Sequence, residues 1–346
     1  MPQIDYSTGG GVERSLRELR FQDNDRVPVA GGYICKASFL EAIAGLGPFW
    51  ENPRRIAIEA YRRLGCDMIV QLVMPKREED STSSTAPTNF SQSSQMPAYR
   101  TAEDVVQAIN ELESPADLRR RFDISRATEE YERILLQGQE DMGNMLWMPY
   151  TGTACRFMWY SHFGYRPYFL AWMRYPDDVD RLFAHSGEDA RLRNTALARA
   201  IVGNDLPRYV YFGEDICYNR GPMVPVELLR EIYFPHLKHA MEPLEDAGIQ
   251  VIWHSDGNIM PIVEDLLDCG VDGFQGFQQE TGPTLGRLAS MKSRAGRKLI
   301  LWGSISVNRT LPFGSVGDVE REVEECIDSA ARGGGPGAPL RARLLR

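Results

Sequence analysis

Short apolar runs recur along the chain, alternating with longer stretches whose apolar residues return every third or fourth position. The short runs predict strands: "VPVAGG" (27–32), "CDMIVQL" (66–72), "MLWMPYTG" (145–152), "YVYFGED" (209–215), "QVIWHSD" (250–256), "VDGFQGF" (271–277) and "LILWGSI" (299–305). The longer ones predict helices. One, "VELLREIYFPHLKHAMEPLEDAG", stops at Gly248, and another, "MPIVEDLLDCG", carries Pro261 in its first turn and closes at Gly270. Strand, helix, strand with short connections dictates parallel pairing. So many units favour a (β/α)8 TIM barrel over an open doubly wound sheet, and no GxGxxG follows the first strand.

Two segments break the rhythm. "PKREEDSTSSTAPTNFSQSSQMPAYRTAED" (75–104) is polar and without apolar period, and it follows the second strand. It reads as a long βα loop, either a lid over the rim where barrel active sites are assembled or a solvated insertion. The second is "PGAPLRARLLR" (336–346), which stands where an eighth strand should close the barrel. Its prolines cannot donate to a ladder, and it holds no Val, Ile or aromatic residue. The expected organisation is therefore a barrel domain over 1–335 lacking a proper eighth strand, followed by an atypical tail over 336–346 of the kind a frameshift or truncated gene produces.

Charge narrows the partners. With 48 acidic against 39 basic side chains the chain carries a formal −9, which disfavours nucleic acid and anionic membrane and favours a small-molecule substrate. There is no basic segment leading into an apolar one at the N-terminus, and no apolar run approaches membrane-spanning length, so a cytoplasmic protein is expected. The 6 cysteines lack CxxC spacing and read as free thiols.

Residues with chemistry gather at strand ends. "FGEDICYNRGP" ends the fourth strand with Glu214, Asp215 and Cys217, and "IWHSDGN" ends the fifth with His254, Asp256 and Asn258. Positions i and i+2 of an extended segment share a face, so His254 and Asp256 can address one ligand, as a metal site or a proton relay requires. The same letters also read as a turn through "DGN", with His254 bonded to backbone, Glu214 and Asp215 solvated, and Cys217 a small core residue.

Taken together, "GEDICYNRGPMVPVELLREIYFPHLKHAMEPLEDAGIQVIWHSDGNIMPIVEDLLDCGVDGFQGFQQETG" and the later "LWGSISV" resemble the uroporphyrinogen decarboxylase superfamily, which also contains methyltransferases that move methyl groups between corrinoid cofactors and thiols. The resemblance is strongest over 209–335. It implies a site Tyr at Tyr160, within "GTACRFMWY".

Two chemistries follow from the resemblance. The decarboxylases bind tetrapyrrole carboxylates through an N-terminal Arg-rich motif, but here "GGYICKASFLEAIAG" offers only Lys36, and a single ammonium does not reproduce a bidentate Arg clamp. Their pyrrole-binding Asp has no match in "QLVMPKR", since Asp67 stands at the start of that strand. The methyltransferases hold zinc with a His-x-Cys pair and a later Cys. This chain keeps His254 and has Asp256 in the Cys position.

A mixed zinc site of His254, Glu214 and Cys217 is the expectation, with His254, Asp256 and Asp215 catalytic and Asn258 and Tyr160 binding the cofactor. The expected reaction moves a methyl group from a corrinoid (methylcobamide), free or on a corrinoid protein, or from a related small substrate. The alternatives are tetrapyrrole decarboxylation and an inactive remnant or binding protein.

Overall fold

A computed structural model describes residues 10–77, 99–150 and 154–332. Most of the expected lid segment and all of the tail fall outside them. The chain divides into two compact units, one of residues 1–98 with 133–150, the other of 99–132 with 151–346.

The first unit holds a parallel sheet in the order β1-β2-β3, where β1 is Ala30–Gly31, β2 Met68–Ile69 and β3 Leu146–Trp147. All three are shorter than the apolar runs that announced them. At β1 the cause is local: Pro28 has no N–H to donate, and a Cβ at Gly32 would fall 1.7 Å from the Gln71 carbonyl oxygen, so the backbones touch where side chains would otherwise continue the strand. Beneath the sheet, Leu40, Phe49, Ile56, Tyr61, Ile69 and Met145 form one apolar cluster. The buried Asp67 accepts from Arg14 Nη1 at 2.6 Å, Arg26 Nη1 at 2.5 Å and the Val29 N–H at 2.8 Å. It is thereby committed to tying this unit together, because a buried carboxylate must be paired and hydrogen-bonded.

In the second unit β4 (Tyr209–Gly213) is joined by a hairpin, β5 (Cys217–Tyr218) and β6 (Gly221–Pro222), to the chain that leads to β7 (Gln250–His254), β8 (Val271–Gln275) and β9 (Ile300–Trp302). The order β4-β7-β8-β9 is parallel throughout. These runs are Val, Ile, Phe and Trp rich and mostly buried, as expected of strands covered on both faces. Among the described residues the ladders form these two parallel sheets and close neither of them into a ring.

Helices follow the sequence signals. Pro176–Gly203 begins with Pro at its first turn and Asp177 and Asp178 beside it, and it buries Val179, Leu182, Phe183, Ser186 and Ala190 at threes and fours. It lies against Phe234–Asp246, where Asn194 Nδ2 donates to the Ala240 carbonyl at 2.6 Å. Ala102–Asn110 opens with a capping box between Thr101 and Asp104. Among the described residues no helix is long and apolar enough to cross a membrane.

Candidate functional site

The parallel ladder sets side by side what the sequence keeps far apart. Gly213 pairs with His254 across β4 and β7, and His254 pairs with Gln275 across β7 and β8. The residues just after β4 and β7 are therefore neighbours at the C-terminal ends of the strands, where α/β proteins assemble their sites.

Asp215, His254 and Asp256 meet there. Each offers a ligand atom within 4.8 Å of the others, and all three are half-buried. His254 Nε2 lies 3.5 Å from Asp215 Oδ1, and the Asp256 N–H donates to that same oxygen at 3.2 Å. Burial raises the Asp256 carboxyl above the ordinary range and the Asp215 carboxylate adds to the effect, while His254 works the other way. The cluster is thus short of positive charge.

The far side of the imidazole is also held. His254 Nδ1 is 2.6 Å from Gln275 Oε1, which also accepts from the Tyr211 hydroxyl at 2.7 Å. At Gly276, with φ of +83°, a Cβ would come within 2.5 Å of Nδ1, so only glycine lets the chain pass the ring. Trp302 stands 5.6 Å from the Tyr211 ring.

The other sequence-predicted residues take different places. Neither Glu214 nor Cys217 belongs to the cluster, although both were expected as ligands beside His254. Glu214 turns away from it and accepts from the Met158 N–H at 2.8 Å, and burial pushes its carboxyl up to about 8, which favours the neutral acid near pH 7. Cys217 is buried in the β5–β6 hairpin, and burial pushes its thiol up to about 12, away from the thiolate that binds metal. In their place the carboxylates of Asp215 and Asp256 face His254.

Asn258 Oδ1 accepts from the Met260 N–H at 3.1 Å, which caps the short turn after β7, and its side chain packs against Gly282. Tyr160 is buried, donates to the Asp215 carbonyl at 3.1 Å and stacks on Tyr165 at 4.6 Å. It braces the backbone of a cluster residue. Gln275, Tyr211 and Gly276 were not anticipated.

Residues 216–337 match the family model for uroporphyrinogen decarboxylase (URO-D), a span that includes His254, Asp256 and Gln275. Over that span the chain is similar to the uroporphyrinogen decarboxylase family. Among solved structures, a methyltransferase from Methanosarcina mazei is similar in fold, with a TM-score of 0.55 at 18% identity over 91% of this chain and 89% of that one. No curated protein matches the chain in sequence.

The donor set suits a divalent ion. Zinc takes imidazole nitrogen and carboxylate oxygen at about 2.0–2.2 Å, and two such ligands on a tetrahedral ion stand about 3.4 Å apart. The 3.5 Å between His254 Nε2 and Asp215 Oδ1 matches that spacing, and a cation would relieve the pressure on Asp256.

Proposed function

We propose that the chain is a metal-dependent methyltransferase of the uroporphyrinogen decarboxylase superfamily, with Asp215, His254 and Asp256 as the ligands and a (β/α)8 barrel as the framework. The observation that carries the reading is the cluster itself: an imidazole and two carboxylates converging at the strand ends of a half-buried site. The likeness to a methyltransferase and the alternation of parallel strands with helices support it.

When bound, the metal, zinc on this donor set, would supply Lewis acidity to a nucleophilic methyl acceptor. The protein's own groups do the rest. Asp215 and Asp256 hold negative charge against the ion, and Tyr160 fixes the Asp215 backbone. Gly276 leaves the His254 ring its place. The methyl donor would be a corrinoid, free or carried on a corrinoid protein, and the acceptor a small molecule. The absence of thiolate ligands makes this a harder site than a His-x-Cys one, suited equally to oxygen-binding divalent ions.

Metal analysis of the purified protein tests the reading. About one zinc or similar divalent ion per chain is expected. His254→Ala and Asp256→Ala should each lose it while keeping the wild-type circular dichroism spectrum, and both should lose methyl transfer from methylcobalamin. A metal-free protein that decarboxylates uroporphyrinogen would reverse the assignment.

A further inference from the structure

We propose that Gln275, backed by Tyr211, is a positioning residue that holds neutral His254 as its Nδ1–H tautomer and so turns the Nε2 lone pair toward Asp215 and Asp256. The inference deepens the metal-site reading and rests on it for its purpose, though its geometry stands alone.

A neutral imidazole carries one proton, and the two nitrogens compete for it. At Nδ1 the neighbour is 2.6 Å away, within hydrogen-bonding range, and it is the Gln275 amide oxygen. At Nε2 the neighbour is 3.5 Å away, too far for a good N–H···O bond, and that Asp215 oxygen already receives the Asp256 N–H. The proton therefore belongs on Nδ1.

For the neutral ring, a second arrangement satisfies the same atoms. If the Gln275 amide were reversed, its NH2 would donate to both the Tyr211 oxygen and Nδ1, and the imidazole proton would move to Nε2, blocking the nitrogen that faces the carboxylates. The amide orientation thus decides whether His254 can be a ligand. In the orientation present, the Tyr211 hydroxyl at 2.7 Å donates to Oε1 and fills the second lone pair of that oxygen. Metal-binding histidines are commonly oriented in this way by a hydrogen bond at their other nitrogen.

The test reads the proton directly. In full-length, metal-free protein, side-chain 15N correlation spectra are recorded above the imidazole titration, and the His254 signals are identified by their loss in His254→Ala. Wild type should show protonated Nδ1 and bare Nε2. Gln275→Leu should shift the balance toward Nε2–H, whereas Gln275→Glu, which keeps an acceptor oxygen, should restore Nδ1–H. Zinc affinity measured against a chelator should fall about 10- to 100-fold in Gln275→Leu and far less in Gln275→Glu.

A wild-type protein with Nε2–H, or a Gln275→Leu protein whose tautomer is unchanged, overturns the proposal. The wild-type spectrum decides this even if a variant fails to fold. A protein showing the Nδ1–H tautomer but no zinc affinity would instead sink the metal reading alone.

Discussion

At the scale of single residues the site divides into what two neighbouring letters can reveal and what only a register can. His254 and Asp256 were legible because an i, i+2 pair in extended chain shares a face, and the two do meet although β7 itself ends at His254. Gln275 and Tyr211 were not, since nothing in "VDGFQGF" or "YVYFGED" distinguishes a polar residue that touches His254 from one that meets solvent. Their roles emerge only when Gly213, His254 and Gln275 stand level in the ladder. Glu214 lies outside the cluster because, just past the end of β4, its side chain is taken up by the Met158 N–H while the next residue, Asp215, meets His254. Gly276 shows how little slack remains. Gly276→Ala would place a methyl group 2.5 Å from Nδ1 on a backbone at φ +83°, so the ring or the loop must move. The expected cost is about 1–3 kcal/mol of stability, together with loss of bound metal, read by thermal unfolding and metal analysis. Unchanged metal content would show that the loop yields instead of the imidazole.

At the scale of elements, periodicity located β4, β7 and β8 well because these are the longest strands among the described residues and are mostly buried. It overestimated β1, β2, β3 and β9; at β1 pattern sees apolar letters but not the close approach of Gly32 to the Gln71 backbone. The β5–β6 hairpin was missed altogether, although Gly221 after Asn219 and Arg220 is a turn signal that could have found it. Helix packing offers a sharper trial of the same physics. Gly187 sits inside Pro176–Gly203, where alanine would gain about 1 kcal/mol of helix propensity. Its Cβ, however, would lie 2.9 Å from the His236 carbonyl oxygen, a backbone atom that cannot swing aside. Overpacking costs about 1–3 kcal/mol, so the clash should win and Gly187→Ala should lower the denaturant midpoint. A higher midpoint would mean that the two helices separate easily.

At the scale of the whole molecule, the site's location determines what metal removal should do. Asp215, His254 and Asp256 all belong to the second compact unit, so an ion bound there stabilises that unit by mass action. With free zinc at about 100 times the dissociation constant, the gain is about 2.7 kcal/mol, because only the folded cluster gathers the three ligands. For a unit of this size that corresponds to roughly 5–10 °C in melting temperature. Scanning calorimetry of the full chain with zinc and then with a chelator should show such a drop. His254→Ala should melt at one temperature in both conditions, near that of the chelated wild type, since it has lost the preference for zinc but little packing. The sign also separates specific from adventitious binding: zinc scattered over an acidic surface would shift wild type and His254→Ala alike, and that result would remove the cluster from consideration as the metal site.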